Sequence, residues 1–340
     1  MKMNVHITHQ ISIQPPFETT WIDNPIAYTE PYVRAIDPDF KAYMSAGEAR
    51  RLGKVLKRAL AVSLRCLQES QDTPIDAVIT GTGLGSIEST ESFLTELCQN
   101  GEQLLKPTPF MQSTHNTIGS LVAISTKNHG YNATYAHKSI SFQSALYDAW
   151  LQFKLRTIQT ALVGAHDGLT EAHYELLNQI DYLGAPVVGS EVAMATILSG
   201  QDTPQTLPPP MCVVSGIKLL YKPTFEQVQQ AVQNMVGELK PTDAVMMGVN
   251  GNPQNDAMYQ PYRQTLFANV PCLQYKHVFG ECYSAPAMAF YATAHLLQKG
   301  NVPAHFVLES LNGALTNVQR ILLFEYSTDG NCSIILMEKP

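Results

Sequence analysis

The sequence predicts an α/β protein built from two similar halves. Short apolar segments typical of buried strands alternate with segments whose apolar residues recur at the helical period, an order expected for parallel strands joined by crossover helices. Two strand-like segments with nearly the same pattern, "DAVITGTG" at 76–83 and "DAVMMGVNG" at 243–251, each follow a predicted helix. This repetition indicates internal duplication, and we expect one half at residues 1–205 and the other at 206–340.

The composition favours a globule with a large interior and excludes several classes of function. Of the 340 residues, 45% are hydrophobic and 15% are charged, and the net charge is -7 at pH 7. Without a basic tract the chain has no source of attraction for phosphates, so we expect no nucleic-acid partner. No segment approaches the roughly 20 apolar residues of a membrane span. We therefore expect a soluble, cytoplasmic protein.

The cysteines are scattered, with no CxxC pair and no histidine at ligand spacing. This pattern predicts neither a zinc site nor a disulfide framework, and we expect reduced thiols that lie mostly in the core. The six residues are Cys66, Cys98, Cys212, Cys272, Cys282 and Cys332.

After an irregular, proline-containing opening, the segment "SAGEARRLGKVLKRALAVSLRCLQES" at 45–70 predicts one amphipathic helix with Ser45 as its N-cap. Its apolar face carries Leu52, Val55, Leu56, Leu60, Leu64 and Leu67. The opposite face carries Arg50, Arg51, Lys54, Lys57, Arg58 and Arg65, with no acidic residue between positions 50 and 65. This face is either a solvated surface or a dock for an acidic protein.

The next segment, "DAVITGTGLGS" at 76–86, predicts a buried strand that runs into a glycine turn. Gly81, Gly83 and Gly85 resemble a dinucleotide-binding fingerprint, but its third glycine falls at Ser86. No acidic residue follows at the distance that a ribose contact requires. A tight strand-to-helix turn explains these glycines, and we expect no cofactor.

The remaining elements follow in alternation. In the first half the sequence predicts a helix at 89–100, a loop leading into a helix from Asn116 to Lys127, a strand at 132–137, a helix at 142–155 and a strand at 160–169. Further along the chain it predicts strands at 191–198 and 211–221 around a proline-rich linker at 199–210, a helix at 224–239, a strand at 243–251, a helix at 285–300 and a terminal hairpin-like pair at 320–327 and 332–338.

Six motifs occur in an order that resembles one known family. They are "DAVITGTGLGSI", "TPFMQSTHNTIGSLVAISTKNHGYNATY", "ALVGAHDG", "DAVMMGVNGNPQND", "LQYKHVFGECYSAPAMAF" and "STDGNCSIIL". Together they resemble the β-ketoacyl-acyl-carrier-protein synthases, and the likeness extends from about residue 36 to residue 337. The resemblance implies a thiolase-like fold, in which duplicated mixed five-stranded sheets are layered with helices as α-β-α-β-α.

The resemblance also defines which groups the family's chemistry needs. In these enzymes a cysteine at the start of a buried helix accepts an acyl chain from a carrier protein, and a carbanion from a malonyl group then attacks it. Two histidines donate hydrogen bonds to the thioester oxygen as negative charge develops on it.

Aligned to the family, this chain departs at each of these groups. The nucleophile position falls on Ser139, whose hydroxyl requires an adjacent base to ionise. Gly248 stands in place of the first histidine, and Glu281 stands in place of the second. A carboxylate beside a forming oxyanion raises the barrier to condensation. We therefore assign no catalytic residue.

Other family positions are retained around these losses. "GVNGNPQND" keeps Gly251, Asn255 and Asp256, and "KHVFGE" keeps the family lysine as Lys276 together with Gly280. The family's final glycine-rich loop reads "YSTDGN" and retains only Asn331, with Gly330 beside it, so that side chains at 326–329 are expected to crowd its space.

A ketosynthase-like chain without its nucleophile and histidines resembles the chain-length-factor subunits of polyketide and aryl polyene systems. This likeness implies a heterodimer with a catalytic ketosynthase, with a homodimer as the alternative, in fatty acid, polyketide or aryl polyene type synthesis. It also implies an acidic acyl carrier protein as a further partner. The residues that would meet the carrier are Arg50, Arg51, Lys54, Lys57 and Arg58.

Two other functions stay open. The first is a Ser139-dependent acyltransferase or hydrolase, and the second is a homodimeric binder of lipid or acyl chains. For the first, the candidate bases are His137, His166 and His277, which Asp167 or Glu281 would orient. A structural role explains the same serine, because Ser139 at the start of a helix is also a good N-cap.

Overall fold

A computed structural model describes residues 2–71, 73–184, 186–201, 206–237, 243–308 and 315–340. The expected boundary of the first half, residue 205, lies outside the described residues, so the division into 1–205 and 206–340 stays a prediction. Part of the predicted linker, residues 202–205, lies outside them as well.

The strands occur in both halves of the chain. The described strands are β1 Met3–Ile11, β2 Ala77–Gly81, β3 Tyr131–Tyr135, β4 Thr160–Asp167, β5 Val192–Ser199, β6 Cys212–Tyr221, β7 Asp243–Met247, β8 Cys272–Gln274, β9 Asn301–Val302, β10 Leu315–Thr316, β11 Arg320–Tyr326 and β12 Asn331–Glu338. The short strands β9 and β10 pair with each other and form a separate ribbon.

The other strands form one sheet in the order β3-β2-β4-β5-β1-β6-β12-β11-β7-β8. If the main strands of each half are numbered in chain order, both halves read 3-2-4-5-1. The directions also match, since β2 lies parallel to β3 and β4, and β7 lies parallel to β8 and β11. This correspondence confirms the duplicated, mixed α/β fold. The two five-stranded halves join where Met3–Val5 of β1 pairs with β6.

The strand β1 corrects the prediction of an irregular opening. It lies at the centre of the sheet between β5 and β6, and its Met3, Val5 and Ile7 are buried. Its polar residues are buried too, because both faces of the sheet are covered. His6 is satisfied by the Pro208 carbonyl at 2.7 Å and the Ser199 hydroxyl at 2.9 Å.

The helices fill most of the connections. They are α1 Ala46–Arg51, α2 Lys54–Glu69, α3 Ile87–Asn100, α4 Pro107–Ser113, α5 Thr117–Thr126, α6 Ser141–Leu155, α7 Glu171–Gln179, α8 Phe225–Val236, α9 Pro253–Ala257, α10 Gln260–Gln264, α11 Lys276–Phe279 and α12 Ala285–Lys299. Along the described parts of the chain, no helix combines the length and the apolar composition that crossing a membrane requires.

Two helical predictions need correction. The segment at 45–70 forms two helices, because the chain is extended at Leu52 and Gly53, although Ser45 caps the first helix with a capping box as predicted. Glycine is a weak helix former, so a break at Gly53 is physically reasonable. The predicted loop before residue 116 contains α4, which begins at Pro107, a position that proline favours.

The layers follow the expected α-β-α-β-α arrangement. The two buried helices α6 and α12 contact each other and lie between the halves of the sheet, α6 against β2, β3 and β4, and α12 against β1, β5 and β11. Helices α2 and α5 cover the outer face of the first half, and α8 covers β12. This arrangement places the start of α6 beside the loops that follow β7 and β11.

Candidate active site

The turn between β3 and α6 holds the nucleophile position. The backbone leaves β3 at Tyr135 and passes through a short 3-10 turn, Lys138–Ile140, in which Lys138 adopts a left-handed φ of 52°. The Ser139 hydroxyl donates to the Asp329 carboxylate, with 3.5 Å between the oxygens. Ser139 is therefore within reach of a carboxylate.

The prediction that Ser139 caps the helix is wrong. The residue at the N-cap of α6 is Ile140, and no side chain accepts a capping hydrogen bond there. The N-cap lies one residue beyond Ser139, and Ser141, the first residue of the helix, makes the local contacts instead. Its hydroxyl accepts from the His137 amide at 2.8 Å and lies 2.9 Å from the Thr82 carbonyl oxygen.

The three candidate bases contact other groups. The His137 ring bonds to the Ser144 hydroxyl at 3.2 Å, and the His277 ring bonds to His305 at 3.2 Å. His166 is fully buried, its ring nitrogens have no hydrogen-bond partner among the described residues, and burial lowers its pKa to about 3. Within the described parts of the chain, no histidine is hydrogen-bonded to Ser139.

Asp167, which was expected to orient a candidate histidine base, has a structural role instead. Its buried carboxylate accepts from the Thr82 hydroxyl at 2.8 Å, the Gly83 amide at 2.9 Å and the Ser284 hydroxyl at 2.6 Å. These bonds fix the glycine turn after β2 to the start of α12. Burial raises the pKa of Asp167, and these donors oppose that rise.

A cavity of about 240 Å³ opens beside Ser139. Loops and helix ends that are far apart in sequence meet at this cavity. Three of the residues that the alignment to the family motifs identified line it: Ser139, Lys276 and Glu281. Gln143, Asn250 and Glu325 line it as well. The cavity is the candidate functional site.

Lys276 and Glu281 form a buried ion pair in this cavity. The Lys276 ammonium lies 2.8 Å from Glu281 Oε2, and the two side chains are only 9% and 6% exposed. Asn250 donates to the same oxygen at 2.8 Å. Burial opposes the charge of Lys276, but the carboxylates of Glu281 and Glu325 outweigh it and raise the pKa of the lysine. The carboxylate at the second histidine position is therefore firmly held.

A second carboxylate lies beside Gly248, the residue that the sequence comparison aligned with the family's first histidine. A Cβ atom built on Gly248 would overlap Oε2 of Glu325 and would lie 2.6 Å from the Tyr259 hydroxyl. Glu325 thus occupies the space that a side chain at position 248 needs. Burial raises its pKa to about 7, against the lowering influence of Lys276. The sequence comparison missed Glu325, although an acidic residue inside the apolar run "RILLFEY" was a signal.

The final loop narrows the cavity with side chains. Tyr326, Ser327 and Thr328 line it, and in the family alignment Tyr326 and Thr328 stand in place of glycines. Asp329 accepts from the Ser139 and Ser327 hydroxyls and from the Asn331 amide at 3.2 Å. The expectation of a crowded loop agrees with these contacts.

Cys282 is the thiol nearest to this chemistry, since it lines the cavity. Burial, with Asp167 and Glu281 nearby, raises its pKa well above the usual range, so the thiol stays protonated and a poor nucleophile. The six cysteines form no disulfide, and all except Cys98 are buried. Among the described residues, no three His, Cys, Asp or Glu side chains are placed to hold a metal ion.

The basic face predicted on the helical segment is smaller than expected. Arg50 and Arg51 are exposed, but Arg58 is only 2% exposed. Its guanidinium forms ion pairs with Asp37 and, at 2.9 Å, with Glu191. Assigning Arg58 to a solvated or docking surface was therefore wrong.

The family of the chain follows from a match that covers more than half of it. The family model described as beta-ketoacyl synthase, N-terminal domain, matches residues 21–208. The chain belongs to the β-ketoacyl synthase family, which confirms the family that the six motifs indicated. No curated protein matches the sequence.

Solved structures share the fold over nearly the whole chain. A β-ketoacyl synthase from Burkholderia phymatum STM815 is 12% identical, with a TM-score of 0.80 and coverage of 100% of this chain and 99% of that one. The ishigamide ketosynthase/chain length factor is 14% identical, with a TM-score of 0.81 and the same coverage. The ketosynthase ApeO in complex with its chain length factor ApeC, from Xenorhabdus doucetiae, is 14% identical, with a TM-score of 0.73 and coverage of 99% and 98%. These similarities establish the thiolase-like fold.

Proposed function

We propose that the chain is a non-condensing β-ketoacyl synthase-like subunit that pairs with an active ketosynthase, as chain length factors do. The observation that carries the proposal is the presence of carboxylates at both positions where condensation needs hydrogen-bond donors. Glu281 stands at the second position, and Glu325 fills the space left by Gly248 at the first.

Electrostatics makes this arrangement unsuited to condensation. The transition state places negative charge on the thioester oxygen, and donors aimed at that oxygen supply much of the catalysis. An ionised carboxylate at the same distance repels it, and the repulsion is strong in a buried site. Lys276 does not replace the missing donors, because its ammonium is already paired with Glu281 at 2.8 Å.

The nucleophile position supports the same conclusion. The Ser139 hydroxyl donates to Asp329. Among the described residues, no histidine is hydrogen-bonded to Ser139 and able to accept its proton. The Asp329 carboxylate lies 3.5 Å away and also accepts from the Ser327 hydroxyl and the Asn331 backbone amide, so it is poorly placed to activate Ser139, and an unactivated serine is a weak nucleophile at neutral pH. The Ser139-dependent acyltransferase is therefore the weaker candidate.

A surface suited to pairing lies beside this site. Strand β3 ends the sheet, so one of its edges has no neighbouring strand in the described chain. The elements next to it expose apolar side chains: Ile124 is 75% exposed, Tyr131 41% and Leu155 69%. An unpaired edge flanked by apolar residues is typical of an interface, and a duplicated ketosynthase presents a matching one.

The proposal extends to the class of product and to a carrier protein. Two of the structures named above combine a ketosynthase with a chain length factor, which supports fatty acid, polyketide or aryl polyene type acyl synthesis as the setting. Arg50, Arg51, Lys54 and Lys57 are the basic residues proposed to meet an acidic carrier, now without Arg58.

The test is co-expression with ketosynthases that retain the cysteine and both histidines, followed by native mass spectrometry. We expect a 1:1 heterodimer with one of them, and elongation of acyl carrier protein by the complex but not by this chain alone. Ile124→Glu and Leu155→Glu should abolish the heterodimer, whereas Leu176→Glu, which changes an exposed leucine on α7, should not. A chain that forms only homodimers, or that elongates alone, contradicts the proposal.

A further inference from the structure

We propose that the cavity beside Ser139 binds a small organic cation, a primary ammonium, through the carboxylate of Glu325 and the amide oxygen of Gln143. This inference goes beyond pairing with a ketosynthase and does not depend on it. It assigns a ligand to a site that has lost the groups for condensation.

The charges of the cavity are unequal. Three acidic residues line it, Asp181, Glu281 and Glu325, against one cation, Lys276. The Lys276 ammonium is held at 2.8 Å by Glu281, so Glu325 receives only its longer-range attraction. A buried carboxylate without its own counter-ion is costly, and a ligand that supplies a positive charge relieves that cost.

Two buried hydrogen-bond acceptors in the cavity wall have no donor. Oε1 of Glu325 and Oε1 of Gln143 both lack a hydrogen-bond partner among the described residues, and the two side chains are 9% and 2% exposed. The amide of Gln143 is oriented by its other end, since Nε2 donates to the Ser333 hydroxyl at 3.2 Å. An ammonium group carries three N–H donors and no acceptor, so it complements these oxygens.

The groups around Glu325 leave this role open. The Tyr275 hydroxyl lies beside Glu325, and its hydrogen bond to the carboxyl group lowers the pKa of Glu325 without supplying a positive charge. The titratable groups that face Glu325 from the surrounding elements are Tyr259, Tyr275, Lys276, Glu281 and Cys332. Of these only Lys276 is cationic, and it is already shared with Glu281.

Other ligands fit the cavity less well. An anionic malonyl or carboxylate group would meet Glu281 and Glu325, which repel it. A divalent metal needs several free oxygens, but Oε2 of Glu281 already accepts from Lys276 and Asn250. The volume of about 240 Å³ corresponds to roughly eight water molecules, which is room for a small amine but little more.

Isothermal titration calorimetry with three matched probes tests the inference at pH 8. We expect n-butylammonium to bind with 1:1 stoichiometry, and sodium butyrate and 1-butanol to bind at least about tenfold more weakly. Glu325→Gln keeps the shape and removes the charge, and it should weaken n-butylammonium binding by about tenfold or more. Glu102→Gln, which removes one exposed carboxylate outside the cavity, should leave the affinity unchanged.

The pH dependence of the affinity of the wild-type protein for n-butylammonium tests the inference even if a variant folds poorly. Because the pKa of Glu325 is about 7, the wild-type affinity should fall on the order of tenfold from pH 8 to pH 6, as the carboxylate takes up a proton. Folded Glu325→Gln should lack this change. Butyrate binding as tight as that of n-butylammonium, an affinity independent of pH, or full affinity in folded Glu325→Gln would each overturn the inference, whether or not the chain pairs with a ketosynthase.

Discussion

The carboxylate of Glu325 lies where a side chain at Gly248 would have to be. A Cβ atom on residue 248 would overlap Oε2 of Glu325 and come within 2.6 Å of the Tyr259 hydroxyl. The glycine and the glutamate are therefore one coupled change in the fold. We therefore expect that a side chain at position 248 is tolerated only if Glu325 changes as well.

Gly248→His should destabilise the protein by about 2–4 kcal/mol, because the imidazole would meet a buried carboxylate in a space with no room for it. The double variant Gly248→His/Glu325→Gly should recover at least about 1 kcal/mol of that loss. Urea titrations monitored by circular dichroism give these free energies of unfolding.

A matched control for this cycle is Gly47→His, because a Cβ atom on Gly47 meets only the Ser45 hydroxyl, at 3.9 Å. Its effect should stay within about 1 kcal/mol. Full additivity of the two changes at 248 and 325 would show that the residues are independent and would contradict the coupling.

Glu325 should make the stability of the protein depend on pH. Its pKa is about 7 in the folded protein against an ordinary value of 4.5, so the folded state holds the proton more tightly than the unfolded state. This contribution is fully present below pH 4.5 and is lost as the pH rises to 7, a decrease of roughly 3 kcal/mol. Urea titrations at pH 4.5 and pH 7.5 measure it as the difference between the wild type and Glu325→Gln. An equal pH dependence in both proteins would rule out this role for Glu325.

His166 should have the opposite dependence. Burial lowers its pKa from 6.5 to about 3, so its contribution to stability is present above pH 6.5 and is lost as the pH falls toward 3. At pH 5 the loss is about 2 kcal/mol. His166→Phe should remove this loss, so the thermal midpoint of the variant should drop less between pH 7 and pH 5 than that of the wild type. His173→Phe, which changes a less buried histidine, serves as the comparison.

Arg58→Met should cost about 3–5 kcal/mol, because it leaves the buried carboxylate of Glu191 without its cation. Arg50→Met, at an exposed position of the same basic segment, should change the free energy of unfolding by less than about 0.5 kcal/mol. If chemical denaturation shows that both substitutions change the free energy of unfolding equally and only slightly, Arg58 belongs to the solvated face after all.

Much of the fold could be predicted because the strands and helices carry regular apolar patterns. Besides the helix break at Gly53 and the helix α4, the main exception was β1, whose His6, Thr8 and Gln10 interrupt the apolar run. Partners far along the chain, Ser199 and Ala195, satisfy the buried His6 and Thr8, whereas Gln10 donates to the nearby Pro15 carbonyl. A local pattern does not contain that information.

The candidate site could be predicted in part. Alignment to the family motifs located Gly248, Lys276 and Glu281, but Glu325 lies just before the aligned loop, and only the pairing of β11 with β7 brings it against Gly248. Arg58 was misplaced for a similar reason, since its partners Asp37 and Glu191 come from other segments. Long-range contacts decide which polar residues are buried.

The central position of β1 has a consequence for how the chain is made. Asn4 pairs with Ser199 and Met3 pairs with Val214, so the earliest of the described strands must wait for about two hundred further residues to be synthesised. Until then its apolar side chains stay uncovered on the nascent polypeptide, where slow, non-local pairing favours aggregation. The strand β1 is thus paired only after β5 and β6 have been synthesised.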